Sequence, residues 1–283
     1  MTTQTPVRAR TAQTAKSRRR RPWRIQYYSP RLALAVIFLF PLIWSGWASV
    51  QGPDGFSPAN YRSILGFGEG LTTYVGNSLA LSGMTVVGTL VVATLGGYAF
   101  ARFSFPGKNL LFLAALAILM VPYATILIPL YVLLDYVGLQ NSLLGLSLVF
   151  VMFQLPFALY MMRNSFEAIP REIEESALVD GAGSFRVLLS VLLPAVRPGL
   201  VTVGLFAFLA SWNDFFAPLI LLSDGASFPL PVAVVSMTQR TFGAIDYGVL
   251  QAGVMVMAVP CLVLFLVLQR YYVRGFMSGA LRG

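Results

Sequence analysis

Two stretches of this chain gather the groups that could do chemistry. Residues 163–197 read RNSFEAIPREIEESALVDGAGSFRVLLSVLLPAVR and hold Glu167, Glu172, Glu174, Glu175 and Asp180, five of the eleven acids in the sequence. The second stretch is Trp212-Asn213-Asp214, an aromatic, an amide and an acid in consecutive positions of an apolar run. Neither is equipped for catalysis. The chain has no histidine, which excludes an imidazole base, a histidine metal site and any Ser-His or Cys-His pair. The single cysteine, Cys261, lies in an apolar run and has no intrachain disulfide or thiolate-site partner. An intramembrane aspartyl pair needs two acids, and only Asp214 lies well inside an apolar run, Asp135 sitting at the end of one. No G-x-x-x-x-G-K-[ST] occurs; Gly107-Lys108 lacks the upstream glycine and the following Ser or Thr, so the chain has no P-loop for ATP.

What these groups can do depends on the elements that hold them. Hydrophobic residues make up 57% of the 283 positions, charged residues 11%, and the mean hydropathy is +0.74. A soluble domain carries about 25% charged residues, so an ordinary soluble protein is excluded. Crossing a bilayer takes about 20 mostly apolar residues. Six stretches qualify: residues 32–50, 75–101, 109–134, 140–162, 198–223 and 247–269. The uncharged run around the fourth begins at Tyr136 and has Gln140 and Asn141 near its start; Asp214 is the one charge inside any of the six. Pro41, Pro122, Pro129, Pro156, Pro218 and Pro260 would break soluble helices, but membrane bundles tolerate them. No internal repeat stands out. The expected fold is an all-α polytopic membrane protein with six transmembrane helices.

The charges orient it. Of the 20 basic residues, eighteen fall in residues 1–31, the 2–3 loop (Arg102, Lys108), the 4–5 loop and the segment from Arg270 onward; only Arg62 and Arg240 lie on the other side. The positive-inside rule then places both termini in the cytoplasm. The net charge of +9 is thus topological, and nucleic acid is not an expected partner. The predicted organisation is a basic cytoplasmic tail (1–31), too polar to fold alone, a six-helix domain (32–270) with a cytoplasmic loop at 163–197, and a cytoplasmic tail (271–283). Arg18–Arg21 either only orient the first span or also attract anionic lipid, worth about 1 kcal/mol per basic residue. The first apolar run is too long for a secretory signal and no small-residue cleavage site follows it. Tyr27, Tyr28, Trp44, Trp47, Tyr271 and Tyr272 read as interface anchors.

The 4–5 loop reads as two short amphipathic helices. Pro170 suits a first helical position. Glu172, Glu174 and Glu175 favour the positive end of the helix dipole. Ile169, Ile173 and Ala177 make one apolar stripe, and Gly181 ends the helix as a left-handed cap. Phe185, Leu188, Leu189 and Leu192 give a second stripe, stopped by Pro194 and Pro198. From the pattern alone two readings stand: a helix pair that docks into a groove on a soluble partner, or an interfacial hairpin lying on the membrane.

Glu175-Ser176-Ala177-Leu178-Val179-Asp180-Gly181-Ala182, followed by Leu193-Pro194 and Pro198, resembles the EAA motif of ABC importer permeases, E-A-A-x-x-D-G-A and later L-P-x-x-x-P. Ser176 departs from the usual second small residue and Leu188 stands where an aromatic is frequent. Tyr98-Ala99-Phe100-Ala101-Arg102-Phe103-Ser104-Phe105-Pro106-Gly107, Met120-Val121-Pro122, Ile128-Pro129-Leu130-Tyr131, Gly138-Leu139 and Trp212-Asn213-Asp214 are similar to the carbohydrate branch, and to the smaller permease of the maltose-type importer in particular. The resemblance covers residues 30 to 283 and implies an ABC type I importer-like fold in a prokaryotic plasma membrane. It implies a second permease subunit in a heterodimeric pore, two copies of a cytoplasmic ATPase that carry ATP and Mg2+, and an extracytoplasmic sugar-binding protein. This chain would bind no cofactor and catalyse no reaction. Glu175, Ser176, Ala177, Asp180, Gly181, Ala182, Leu193 and Pro194 would form the ATPase-coupling segment, with Gly181 as the bend and Asp180 capping or pairing beside it.

An acid near the bilayer centre costs about 2.5–3.5 kcal/mol on insertion scales, so Asp214 faces protein or water. Trp212, Asn213 and Asp214 either line the translocation path, where an aromatic face and polar groups suit a sugar, or form a hydrogen-bonded packing cluster near a bend. Tyr131, Gln154 and Asn77 are further path candidates. The alternative function is an ion-coupled secondary transporter, which would bury several ionisable groups or use paired broken helices.

Overall fold

The computed structural model describes residues 23–52, 55–238 and 246–280, with side chains from Tyr28 to Gln269 within those ranges. The expected tail up to Pro22, Arg240 and Arg282 lie outside the described residues, as do the side chains of Tyr27, Arg270, Tyr271, Tyr272 and Arg274. The chain divides into two units, residues up to Trp44 and residues from Ser45 onward.

Helix α1 (Trp23–Ser49) keeps Pro30 and Pro41 inside it. Its large side chains, Leu32, Phe38, Phe40 and Ile43 among them, are exposed. A helix that is apolar and unburied is built to face lipid or another apolar chain.

The second unit begins with a small antiparallel hairpin, β1 (Gln51–Gly52) and β2 (Gly55–Phe56), in which Gln51 pairs with Phe56 and Gly52 with Gly55. Helix α2 (Ala59–Leu65) follows, then the long α3 (Leu71–Arg102). Helix α4 (Lys108–Ala117) tightens into a 3-10 turn at Ile118–Met120 and gives way to α5 (Tyr123–Tyr136). Helix α6 (Leu143–Glu167) leads into the loop helices α7 (Arg171–Val179) and α8 (Ser184–Val187). The latter runs through a π-helical turn, Leu188–Leu192, into α9 (Leu193–Ala195). Helices α10 (Arg197–Asn213), α11 (Phe216–Leu221), α12 (Leu230–Thr238) and α13 (Tyr247–Ala280) complete the chain.

Among the described residues, four helices are long and apolar enough to cross a membrane: Tyr28–Ser49, Leu71–Arg102, Leu143–Glu167 and Tyr247–Gln269. Two bent pairs bring the number to six if each counts as one span. The third and fifth expected spans therefore differ from the uninterrupted helices read from the sequence. In the third, α4 with its 3-10 turn meets α5 at 106°. Pro122 lacks an N–H and disfavours helical backbone at the residue before it, and Val121 is extended at φ −80°, ψ 125°. In the fifth, α10 stops at Asn213, Asp214 is extended, and α11 begins at Phe216. Just before α10, the segment Ser184–Ala195 meets it at 79°. In the fourth expected span, 140–162, helix α6 begins at Leu143. Ser142 caps it, its Oγ accepting from the Gly145 N–H at 3.1 Å, and Asn141 sits outside in a left-handed turn at φ 52°.

Helices α3 and α6 form the centre of this unit. Lipid offers no hydrophobic drive between helices, so close backbone approach through small residues supplies the contact. Gly97 shows how close it is. A Cβ there would lie 2.6 Å from the Met162 Cβ and 2.9 Å from the Arg163 backbone nitrogen. Around it Ala93, Tyr98, Ala101, Met162, Phe166 and Val203 form one buried cluster, joined by Val187, Leu188 and Leu192 from the loop. A second cluster joins α5, α6 and α11 through Leu127, Leu130, Leu146, Phe150, Ala217 and Leu221. A third gathers Ile64, Tyr74, Trp212, Leu230, Val249 and Ala252.

Gly97→Leu should lower the unfolding temperature of the detergent-solubilised protein, because overpacking costs about 1–3 kcal/mol or more. Gly83→Ala, where an added Cβ meets nothing within 4 Å, should leave it unchanged. Equal melting of both variants would show that α3 and α6 do not depend on this contact.

Candidate functional site

The loop between α6 and α10 is built around one turn. Helix α7 ends in a Schellman motif. The Gly181 N–H donates to the Leu178 carbonyl at 3.0 Å and the Ala182 N–H to the Ala177 carbonyl at 3.1 Å. Gly181 takes φ +84°, a backbone region that costs about 1–2 kcal/mol for a residue with a Cβ. Ala177 and Ala182, the two positions this motif brings together, both pack against the buried cluster below. Pro170 stands one residue ahead of the helix, not at its first position.

The inward faces differ from the expected stripes. Ile169, just ahead of α7, and Ala177 within it pack inward as expected, but Ile173 is 47% exposed and Glu174 takes the inward position. In the second helix, Leu188 and Leu192 are buried with Val187, whereas Phe185 and Leu189 face out. The π turn at Leu188–Leu192 accounts for part of this shift. Pro194 has no N–H for the carbonyl four residues back and crowds it, and a wider turn relieves that crowding while rotating the apolar face. The helix consequently runs past Pro194 to Ala195 and ends at Val196.

Glu174 is held by α3. Its Oε1 accepts from the Tyr98 hydroxyl at 2.8 Å, and its Oε2 lies 2.9 Å from the Arg102 Nε as an ion pair whose N–H is not aligned for a hydrogen bond. The Arg102 Nη2 also donates to the Ile169 carbonyl at 2.9 Å. The paired side chains are only 6% and 14% exposed. A second pair, Arg163 Nε to Glu167 Oε1 at 2.8 Å, is more open, and the Arg163 guanidinium lies 4.4 Å from the Phe112 ring centre, tying α6 to α4.

With its inner face locked, the loop turns an apolar surface outward: Ile173, Leu178, Val179, Phe185 and Leu189, with Val179 88% and Phe185 67% exposed. Glu175, Ser176, Asp180, Gly181 and Pro194 are exposed on the same loop, while Ala177, Ala182 and Leu193 are half-buried. The Ser176 Oγ donates back to the Glu172 carbonyl at 2.7 Å.

The second candidate stretch comes apart. Trp212 is buried, stacks on Phe208 at 5.4 Å and donates its Nε1–H to the Met257 carbonyl of α13 at 3.0 Å. Asn213 is exposed; its Nδ2 donates to the Leu209 carbonyl at 2.9 Å and lies 3.8 Å from the Cys261 Sγ. Asp214 sits at the break between α10 and α11. Its Oδ1 accepts from the Ala217 N–H at 2.9 Å, capping α11, and its Oδ2 accepts from the Tyr123 hydroxyl at 2.8 Å. Tyr123 is the first residue of α5, directly after Pro122, and packs edge-on against Phe153 at 4.9 Å. The two helix breaks are thus tied to each other. Tyr131 is exposed on the same α5, and Gln154 is half-buried on α6 beside Phe153. Asn77 is spent on a loop: its Nδ2 donates to the Ala226 and Phe228 carbonyls at 2.7 and 3.0 Å. Sequence reasoning passed over Tyr123 and Glu174. The one available signal for Tyr123 was its place behind Val121-Pro122. Glu174 had none, being one acid among several. Paired broken helices, one of the features expected of an ion-coupled carrier, are present.

Comparison with known proteins decides between those readings. Residues 64–276 match the family described as binding-protein-dependent transport system inner membrane component. The trehalose transport system permease protein SugB of Mycobacterium tuberculosis is 34% identical over 254 residues, covering 88% of this chain and 92% of that one. The diacetylchitobiose uptake system permease protein NgcG of Streptomyces coelicolor is 31% identical over 259 residues, covering 88% of this chain and 85% of that one. Among solved structures, a bacterial ABC transporter involved in import of the acidic polysaccharide alginate shares the fold, with a TM-score of 0.72, 22% identity, and coverage of 93% of this chain and all of that one. This chain, with its broken helices and a locked loop with an apolar outer face, therefore belongs, over most of its length, to the inner-membrane permease components of binding-protein-dependent ABC transport systems.

Proposed function

We propose that this chain is one of two permease subunits of an ATP-driven importer that moves a sugar or sugar derivative into the cytoplasm of a prokaryote. The observation that carries the reading is the outward apolar face of the 163–197 loop, Ile173, Leu178, Val179, Phe185 and Leu189, on a loop whose inner face is already buried. Such a face fits a groove on a soluble partner, and a buried ion pair at Glu174 supports docking over a hairpin resting on lipid. A sugar as cargo is supported by the relatives' trehalose and diacetylchitobiose systems.

In this reading the chain crosses the membrane six times, through α1, α3, the pair α4 and α5, α6, α10 with α11, and α13. The basic residues keep both termini, the tails 1–31 and 271–283 and the coupling loop in the cytoplasm, with residues 32–270 as the membrane domain. ATP and Mg2+ belong to two copies of a partner ATPase that the loop contacts through Glu175, Ser176, Asp180, Gly181 and their neighbours. A binding protein delivers the sugar from outside, and a second permease completes the pore. The substrate path runs beside the tied breaks, past Asp214, Asn213, Tyr131 and Gln154, while Trp212 holds α10 against α13.

Proteoliposomes holding the two permeases, the ATPase and the binding protein should take up sugar only with ATP; sugar movement by this chain alone down an ion gradient would overturn the reading. Val179→Ser with Phe185→Ser should release the ATPase from the purified complex, since each buried apolar side chain contributes about 1.5–3 kcal/mol. Gly181→Val should let ATP hydrolysis continue while uptake drops severalfold; wild-type uptake would remove the bend from the mechanism. Asp214→Asn should lower uptake with assembly intact, and unchanged kinetics would make the acid a packing residue.

A further inference from the structure

We infer that α3 is the rod that carries motion from the loop to the opposite end of the bundle, with Tyr98, Arg102 and Glu174 as its attachment at one end and Asn77 and Ser78 at the other. The inference rests on the loop being the ATPase-docking segment.

The loop is joined covalently to α6 before it and to α10 after it, but not to α3. Its polar holds on α3 are the Glu174 carboxylate and the Ile169 carbonyl. Tyr98 and Arg102 are one helical turn apart, so their side chains share a face of α3, and each takes one oxygen of Glu174, at 2.8 and 2.9 Å. Arg102 closes the ring by donating to the Ile169 carbonyl at 2.9 Å, ahead of α7. The other loop contacts here are apolar, from Ala177, Ala182, Val187, Leu188 and Leu192, and apolar surfaces can slide past one another. The ring of Tyr98, Glu174, Arg102 and Ile169 cannot slide without leaving a nearly dry charge unpaired, the costly way to separate a buried pair.

Helix α3 has 32 residues without a proline, about 48 Å at the helical rise. Its far end is tied as well. The Ser78 Oγ accepts from the Leu230 N–H at 2.8 Å, and Asn77 Nδ2 donates to the Ala226 and Phe228 carbonyls. The segment so held continues into α12. Asn141 grips it from the other side, its Oδ1 accepting from the Ser223 and Asp224 N–H groups at 2.8 and 3.1 Å. A displacement of α7 therefore reaches residues 223–230 through one unbroken helix. Glu174, Arg102 and Asn77 are positioning residues in this scheme: they touch neither nucleotide nor cargo.

The test uses the full importer in proteoliposomes and reads sugar taken up per ATP hydrolysed. Glu174→Gln and Arg102→Gln should each lower that ratio about tenfold with the ATPase still bound. Tyr98→Phe, which keeps the ring contacts to Phe103 and Phe166, should lower it less. The exchange of Arg102→Glu together with Glu174→Arg, which restores the ion pair but not the bonds to Tyr98 and Ile169, should regain part of the loss. Asn77→Ala, at the far end, should lower the ratio as the near-end changes do. A wild-type ratio in assembled single variants, or in Asn77→Ala, would overturn the rod. So would an exchanged pair that assembles and stays uncoupled. If the single variants do not assemble, Tyr98→Phe and Asn77→Ala decide alone. The outer-face pair Val179→Ser, Phe185→Ser tells the two readings apart: release of the ATPase there with normal coupling in the Glu174 and Asn77 variants removes the rod and leaves the docking surface, whereas retention of the ATPase removes both.

Discussion

The nearness of α3 to α6 sets the rest of this structure. Inside a bilayer, apolar side chains gain nothing by meeting each other instead of lipid tails, so two helices stay together only where their backbones can come close. Ser78, Ser82, Thr85, Thr89, Ala93 and Gly97 lie buried along α3. Two of the hydroxyls, Ser82 and Thr89, have no hydrogen-bond partner. At Ser82, Thr89, Ala93 and Gly97 the contribution is small size and not bonding. Because α6 lies so close, its last turn brings Met162 and Phe166 beside Tyr98, and the chain leaving α6 arrives where Arg102 can take hold of it.

The broken helices follow a second constraint. A helix that stops inside hydrocarbon strands donors and acceptors that water cannot reach, and the protein itself must supply the partners. Asp214 does this for α11 by accepting from Ala217, and its remaining oxygen meets the tyrosine that opens α5. One carboxylate thus serves two breaks. A carboxyl group in such a place would be expensive alone, yet here it is an acceptor at both interruptions.

Much of this was legible in the sequence. Runs without charge marked where the chain can cross, and the glycine after Asp180 marked the turn between the loop helices. Which prolines break their helices was not legible. Pro41, Pro129, Pro156 and Pro260 all ride inside continuous helices, while Pro122 turns the chain by 106°. Part of the difference lies at Asp214, about ninety residues away in sequence, where no local pattern can see it. The loop faces failed for a related reason. Counting at helical spacing put Ile173 inward, but an ion pair with a residue of α3 rotated Glu174 there instead, and a π turn moved the second stripe off Phe185 and Leu189. Amphipathic spacing ranks greasiness; a buried charge partner overrides it. The Trp212-Asn213-Asp214 triplet looked like one cluster only because it is contiguous, and an extended residue at its end sends its members to different neighbours.

The outward apolar face of the loop also bears on the life of the chain before assembly. Val179 and Phe185 stand almost uncovered, and a patch of this kind on a lone protein is the surface that chaperones and proteases recognise. In the proposed assembly, a chain inserted without its ATPase would carry its own mark of incompleteness. The same residues would then keep the numbers of permease and ATPase in step, since copies that find no partner remain conspicuous and copies that find one are hidden.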